Sequence, residues 1–348
     1  VNIQTAADTV RHLLQAQNEA GHQPLAQNAI VYAPANIALC KYWGKRNLPL
    51  NLPQTSSLSI SLAGHGTHAR ISIAEGAHAL SINEVEIPAD DPAAKRMFAF
   101  LDLFSACTGT YFTLTTISTV PVGAGLASSA SAFASVVQAL DTLFGWGLDF
   151  PAQSILARLG SGSASRSIDH GFLEWDRGQR NDGLDSYASY LPVEWPDFRI
   201  ALVPISDQAK PIGSRDAMNR TVAESQLYQA WPDQVTRDLD LIRDAIEAKD
   251  ILALGQAAEC NAMAMHATML ASRPAILFWL PESVAALHRV WQLRADGIQV
   301  FATMDAGPNV KLIFDAKQQN AVEDAFDSID VIDPFGYIEP DIGPLDDG

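Results

Sequence analysis

One carboxylate and a few cations beside glycine and serine give this chain side chains that could act on an anion. Asp305 follows an apolar run, Ile298 to Met304, and precedes Ala-Gly-Pro-Asn309. A strand-end aspartate there can accept a hydrogen bond, take a proton, or cap a turn. Lys41, Lys45 and Arg46 fall within six positions. Arg166 stands in a Gly/Ser run, Gly160 to Ser167, and a guanidinium offers a carboxylate two parallel donors where lysine offers a point charge. Lys210, Ser214 and Arg215 again set cations beside glycine and serine. A last stretch, VPVGAGLASSASA from Val120 to Ala132, is uncharged and holds Gly123, Gly125, Leu126, Ala127, Ser128 and Ser129. It lies between a β-prone run, Tyr111 to Thr119, and a helical pattern through Phe133, Val137, Leu140 and Phe144. Strand, turn and helix in that order converge backbone N–H groups and the positive end of a helix on one point, which favours a phosphate. A connector that needs glycine for its φ accounts for the same residues.

These groups stand on an acidic background. The 348 residues carry 23 Lys and Arg against 40 Asp and Glu, a formal charge of −17. That field repels nucleic acid and anionic membrane, so neither is an expected partner. A phosphorylated ligand would need the few cations gathered in one place. Cys40, Cys107 and Cys260 are odd in number, match no metal or redox motif, and suit a reducing compartment such as the cytoplasm. No apolar run approaches the ~18 residues of a membrane span. Asp8 and Arg11 stand where a signal peptide would need its apolar core, so none is expected.

The elements that must position the chemistry come in blocks. Residues 1–29 read as a helix and a linker, and Ile30 to Pro34 as the end of a strand. Ser56 to Leu62 alternates Leu58, Ile60 and Leu62 with Ser57, Ser59 and Ser61, as a half-buried strand does, and residues 69–87 add separate β-like runs. Helices are predicted over 92–106, after Asp149 as N-cap, and over 216–230, 233–249, 251–271, 283–295 and 317–327. Strands and helices that segregate in this way point to an α+β class, with lobes over 30–195 and 196–333 and a frayed acidic tail over 334–348. Met263, Met265 and Met269 with His266 recur at helical spacing and read as core. Asp169 and His170 read as structural, because adjacent residues do not face one another on a helix.

The Val120–Ala132 turn lacks the lysine of a Walker loop and the third glycine of a dinucleotide fingerprint. Its Gly125-Leu-Ala-Ser128-Ser129 core instead resembles the phosphate turn of the GHMP kinase superfamily. Ala33 to Arg46, Asn51 to Ser59, Gly160 to Ser167 and Met304 to Asn309 resemble, in order, segments of one of its families, the diphosphomevalonate decarboxylases. The resemblance implies a two-lobed fold, with a ribosomal-protein-S5-like N-terminal lobe, a ferredoxin-like C-terminal lobe and the active site in the cleft between them. It implies ATP as co-substrate with Mg2+, phosphorylation of the 3-hydroxyl of mevalonate 5-diphosphate, and loss of phosphate and CO2 to give isopentenyl diphosphate. Residue by residue, it makes Asp305, Lys41 and Arg166 catalytic. It puts Asn36, Tyr42, Lys45, Ser163, Ser214 and Arg215 on the substrate, and Gly123, Gly125, Leu126, Ala127, Ser128 and Ser129 on ATP. Mg2+ would sit near Ser129, as no His/Cys cluster offers another site. A homodimer is also implied. Asp169-His170 departs from the family, which often has an aromatic residue and glycine there. Two neighbouring activities fit the same turn: a kinase that stops at phosphorylation, and a decarboxylase of the monophosphate. A non-catalytic anion binder is the third alternative, and it leaves Asp305 without a role.

Overall fold

The computed structural model describes residues 4–17, 23–120, 128–208, 210–336 and 345. Its first part runs α1 (Ala6–Gln17), β1 (Asn28–Cys40), β2 (Lys45–Asn47), β3 (Leu52–Pro53), β4 (Ser57–Ala74), β5 (Ala79–Ile82), β6 (Val85–Glu86), α2 (Pro92–Thr108), β7 (Tyr111–Ser118), α3 (Ser128–Phe144), α4 (Phe150–Gly160), β8 (Phe172–Trp175) and β9 (Ala188–Leu191). The second runs β10 (Phe198–Val203), α5 (Ser214–Glu224), α6 (Trp231–Ala248), α7 (Ile251–Leu270), α8 (Pro281–Ala295), β11 (Val300–Met304), β12 (Val310–Asp315), α9 (Gln319–Glu323) and β13 (Asp330–Ile332). The larger sheet has the order β6-β5-β7-β4-β8-β9, with β1 also on β4, and the smaller has the order β11-β12-β10-β13. Asp149 caps α4 as predicted, accepting from the Ala152 N–H at 2.9 Å.

Two strand readings need correction. β1 does not end at Pro34 but continues to Cys40, and β4 is one strand of 18 residues. Pro34 is tolerated because β1 pairs only with β4 among the described strands, so its missing N–H breaks no second ladder. The register slips between Pro34 and Asn36, opposite Gly66 and Ser61, so residues 62–65 bulge from β4. Gly64, at φ 75°, supplies the left-handed residue of that bulge. The continuation carries Asn36 along β1 and leaves Lys41 one residue beyond its end. Two helices are shorter than predicted: a 3-10 turn, Gln226–Ala230, follows α5, and another, Ala316–Gln318, precedes α9.

Three apolar layers hold the elements. Helices α1 to α4 cover one face of the large sheet, with Phe104, Val137, Leu140 and Leu156 against Ile71 and Leu114. The other face, through Ile37, Leu39, Leu58 and Ile60, meets Ile242 of α6 and Leu254 and Met265 of α7. That same cluster takes in Ile200 and Leu202 of β10, while Ala201 and Val203 point to α8. The two lobes therefore share a core. β4 is buried on both faces, which the alternation did not indicate: Ser57 and Ser59 are 0 % exposed and Ser61 1 %. Three hydroxyls at such depth need partners.

Candidate active site

Asp305 follows β11 at the start of a turn closed by the Gly307 N–H on its carbonyl at 2.8 Å. Its side chain reaches into the space between the lobes. Lys41 Nζ donates to Asp305 Oδ1 at 2.9 Å, and Nζ of Lys311, on β12, lies 3.2 Å from Oδ2. Both lysines are 1 % exposed. Lys41 is fixed in turn: Nζ donates to the Ala38 carbonyl at 2.8 Å, and its backbone N–H to Asn261 Oδ1 of α7 at 2.8 Å. Burial alone would raise the Asp305 carboxyl; the Lys41 and Lys311 ammonium groups outweigh it and hold the group well below the usual carboxylate range. Burial also pulls Lys41 down, and Asp305 pulls it back. His266 Nε2 lies 3.1 Å from the Asp305 carbonyl. Burial and then Lys41 push this imidazole down to about 3, so it is neutral and Nε2–H donates.

Arg166 comes from the 3-10 turn Gly162–Arg166 that follows α4, and is 1 % exposed. The serine face of β4 accounts for its position. Nε donates to Ser59 Oγ at 3.0 Å and Nη1 to Ser57 Oγ at 2.5 Å, and the guanidinium lies 5.8 Å from the Trp175 ring. Ser61 serves the same stretch by accepting from the Gly171 N–H at 2.7 Å. Asn36 donates through Nδ2 to Ser167 Oγ at 2.7 Å and to the Ser163 carbonyl at 3.2 Å, which leaves its carbonyl oxygen to a ligand.

These groups line one cleft of about 330 Å³, with Asn36 to Lys45, Arg96 and the Gly162–Arg166 turn on one side and Gly213 to Arg215, Met218, Met265 and Asp305 on the other. Lys41, Lys45, Arg96, Arg166 and Arg215 give it five cations against the one carboxylate, on a protein of formal charge −17. The local concentration demanded of an anion site is met here. Lys45 Nζ donates to Asn51 Oδ1 at 2.6 Å; burial, then Arg215 and Arg96, push its amine down to about 8. The Tyr42 hydroxyl is buried with no hydrogen-bond partner among the described residues, and its ring packs on Trp175 and against Gly162, where a Cβ would come within 2.7 Å of it. Ser214 and Arg215 open α5 and add the positive end of an eleven-residue helix. Ser129, in the first turn of α3, lies 3.4 Å from Ser161 Oγ, which lies 3.3 Å from Ser163 Oγ. Three hydroxyls thus join α3 to the Arg166 turn. Gly123, Gly125, Leu126 and Ala127 lie outside the described residues, and of Ser128 only its place as first residue of α3 is described.

The cleft gathers Asn36, Lys41, Tyr42, Lys45, Ser129, Ser163, Arg166, Ser214, Arg215 and Asp305. It also holds Arg96 and Ser161, while His266, Lys311, Ser57 and Ser59 stand behind its Asp305 and Arg166; the sequence reading gave none of these a role. Arg96, His266 and Lys311 lie outside the contiguous motifs, and Ser57, Ser59 and Ser161 lie within them. Lys311 alone carried a signal, as one lysine inside the apolar run Val310 to Phe314. Met265 and Met269 are core as predicted, though Met265 also touches the cleft. Asp169 and His170 lie elsewhere: Asp169 accepts from the His170 N–H and the Tyr190 hydroxyl, and His170 stacks on Tyr32 and lines a separate cavity. Among the described residues no group of three or more His, Cys, Asp or Glu could hold a metal. A Mg2+ brought in with a nucleotide would find oxygen ligands on its phosphates and in water. No described helix is long and apolar enough to cross a membrane.

Residues 33–188 match the model of the diphosphomevalonate decarboxylase-like N-terminal domain, and residues 200–332 that of the mevalonate 5-diphosphate decarboxylase C-terminal domain. The chain is 34 % identical to diphosphomevalonate decarboxylase of Aspergillus fumigatus over 316 residues, 84 % of this chain and 78 % of that one. It is 32 % identical to the Rattus norvegicus enzyme over 302 residues, 80 % and 74 % of the two chains. Among solved structures, a complex of MDDEF with MVAPP, AMPPCP and magnesium superposes with a TM-score of 0.83 at 35 % identity, over 88 % of this chain and 96 % of the other. Mevalonate diphosphate decarboxylase from Staphylococcus aureus gives 0.83 at 33 % identity, over 88 % and 95 %. The α+β architecture with its cleft is therefore the two-lobed GHMP kinase fold. Matched through both lobes and along most of its length, the chain belongs to the diphosphomevalonate decarboxylase family.

Proposed function

We propose that this protein catalyses the ATP-dependent decarboxylation of mevalonate 5-diphosphate to isopentenyl diphosphate, with release of ADP, phosphate and CO2. ATP first phosphorylates the 3-hydroxyl. The pair of electrons joining CO2 to the chain then becomes the new double bond as the phosphate leaves with its C–O pair. One observation carries this reading: a carboxylate pinned between lysines shares a cleft with a buried arginine and with other charged side chains that are all cations. The similarity to a complex with MVAPP, AMPPCP and magnesium supports the same substrates here.

Residue roles follow from the chemistry of the site. Asp305, held anionic far below neutrality, is a weak base and a good acceptor. It orients the 3-hydroxyl and receives its proton only as the phosphoryl group arrives, which suffices for a loose transition state. Lys41 stabilises the charge gathering on that group. Arg166 spends Nε and one Nη1 proton on Ser59 and Ser57, so its Nη1–Nη2 end is what it offers the substrate carboxylate. Asn36 and Ser163 face the same region, while Tyr42, Lys45, Ser214 and Arg215 receive the diphosphate. The turn from Gly123 through Leu126 and Ala127 to Ser128, with Ser129, receives ATP, and bound Mg2+ would neutralise its phosphates. We place the lobe division between residues 195 and 196, because β9 ends at Leu191 in one sheet and β10 starts at Phe198 in the other.

The test is direct. Protein given ATP and mevalonate 5-diphosphate forms isopentenyl diphosphate, detected by mass spectrometry; its absence overturns the reading. Cys40, Cys107 and Cys260 are all free, which supports a cytoplasmic setting, and a stable disulfide in protein taken from cells would contradict that. A homodimer is expected in light scattering, and a monomeric mass would sink it.

A further inference from the structure

We propose that Lys311 is a positioning residue for the reaction, acting through Asp305. This rests on the function proposed above and extends it. An aspartate held by one lysine can turn about its Cβ–Cγ bond, because only one oxygen is tied. Here each oxygen has its own ammonium, Lys41 on Oδ1 at 2.9 Å and Lys311 on Oδ2 at 3.2 Å. The two cations come from different lobes: Lys41 follows β1 of the large sheet, and Lys311 stands on β12 of the small one. The backbone is held as well, by the neutral His266 on the Asp305 carbonyl. The carboxylate plane is thereby fixed across the cleft, with its remaining lone pairs turned to the space that Arg166 and Asn36 also line.

Lys311 is placed for this by strand alternation. Val310, Leu312 and Phe314 point to the α8 side, so Lys311 and Ile313 point to the face shared with α7 and the other lobe. Burying an ammonium on an apolar strand is costly, and a single lysine already neutralises one carboxylate. What the second adds is a defined orientation for the acceptor. Misplacement of a reacting group by about 1 Å can cost ~10²-fold in rate.

The experiment compares wild type, Lys311→Met and Lys311→Arg in steady-state turnover with ATP and mevalonate 5-diphosphate. Lys311→Met should lower kcat by roughly 10- to 100-fold. KM for both substrates should stay within about threefold, and ADP and CO2 should fall together because the affected step is phosphoryl transfer. Lys311→Arg, which keeps a charged donor for Oδ2, should recover part of the lost kcat. An unchanged kcat in the methionine variant overturns the proposal. So does a loss that arginine does not relieve and that appears in KM with a lowered melting temperature, since that is structural damage. ADP released ahead of CO2 also overturns it, by placing Lys311 after phosphoryl transfer. If the methionine protein does not fold, Lys311→Gln is read against the same criteria. A wild type that makes no CO2 defeats the functional reading itself, and that outcome is seen before any variant is compared.

Discussion

At the scale of single residues, the site works by setting charge states. Asp305 is kept an anion by two lysines, and His266 is kept neutral by burial and by Lys41. Lys45 is the group poised to change near physiological pH: burial with Arg215 and Arg96 brings it to about 8 in the free protein. Protonated Lys45 binds diphosphate better, so kcat/KM for the substrate should hold below pH 8 and fall as pH rises through it. The bound dianionic phosphates raise the amine again, so kcat should fall less. Lys45→Arg, always charged, should flatten the limb. If it leaves the limb in place, Lys45 is not its source. His266 should contribute no limb between pH 5 and 8.

At the scale of elements, the site depends on one strand having two buried faces. Ser57 and Ser59 of β4 hold Arg166, while Leu58, Ile60 and Leu62 meet the other lobe. Ser59→Ala leaves Arg166 Nε without its acceptor and should cost about 1–3 kcal/mol of stability, read from the denaturant midpoint, together with a higher KM for substrate. Unchanged stability and KM would mean that Ser59 only fills space. This element also marks where the sequence was legible and where it was not. Lys41, Arg166 and Asp305 sit in short contiguous motifs, so their grouping could be read along the chain. Ser57, Ser59, His266 and Lys311 act through elements paired from afar, and apart from that one lysine in its apolar run each looks ordinary in its own window. An alternating serine resembles a solvated face until the Arg166 turn and the Gly171 backbone cover it. Pro34 resembles a strand end until β1 proves to lie at an edge, where a missing N–H is harmless. The N-cap at Asp149 was legible because a cap is local. The fold class followed from the segregation of strands and helices, but the shared core did not, since no local pattern records which lobe an apolar face meets.

At the scale of the whole molecule, a strongly acidic protein has concentrated cations in one cleft between lobes that share a core. Ile37, Leu58 and Ile60 of the large sheet and Ile200 of the small one belong to one apolar cluster with α6 and α7. Arg243 of α6 adds a two-pronged pair to Glu174 of β8, at 3.0 and 2.9 Å. Lobes joined in this way should unfold together, in a single calorimetric transition. Two resolved transitions would show that the lobes are independent. The shared core also keeps Lys41 and Asp305, which lie on opposite sides of the cleft, at contact distance. The central claim is that this one cleft couples phosphoryl transfer to decarboxylation. The measurement that tests it most directly is the ratio of ADP to CO2 formed from ATP and mevalonate 5-diphosphate in a single turnover. The account predicts equal amounts of the two, and neither from Asp305→Asn. ADP without CO2 would contradict it and leave a kinase.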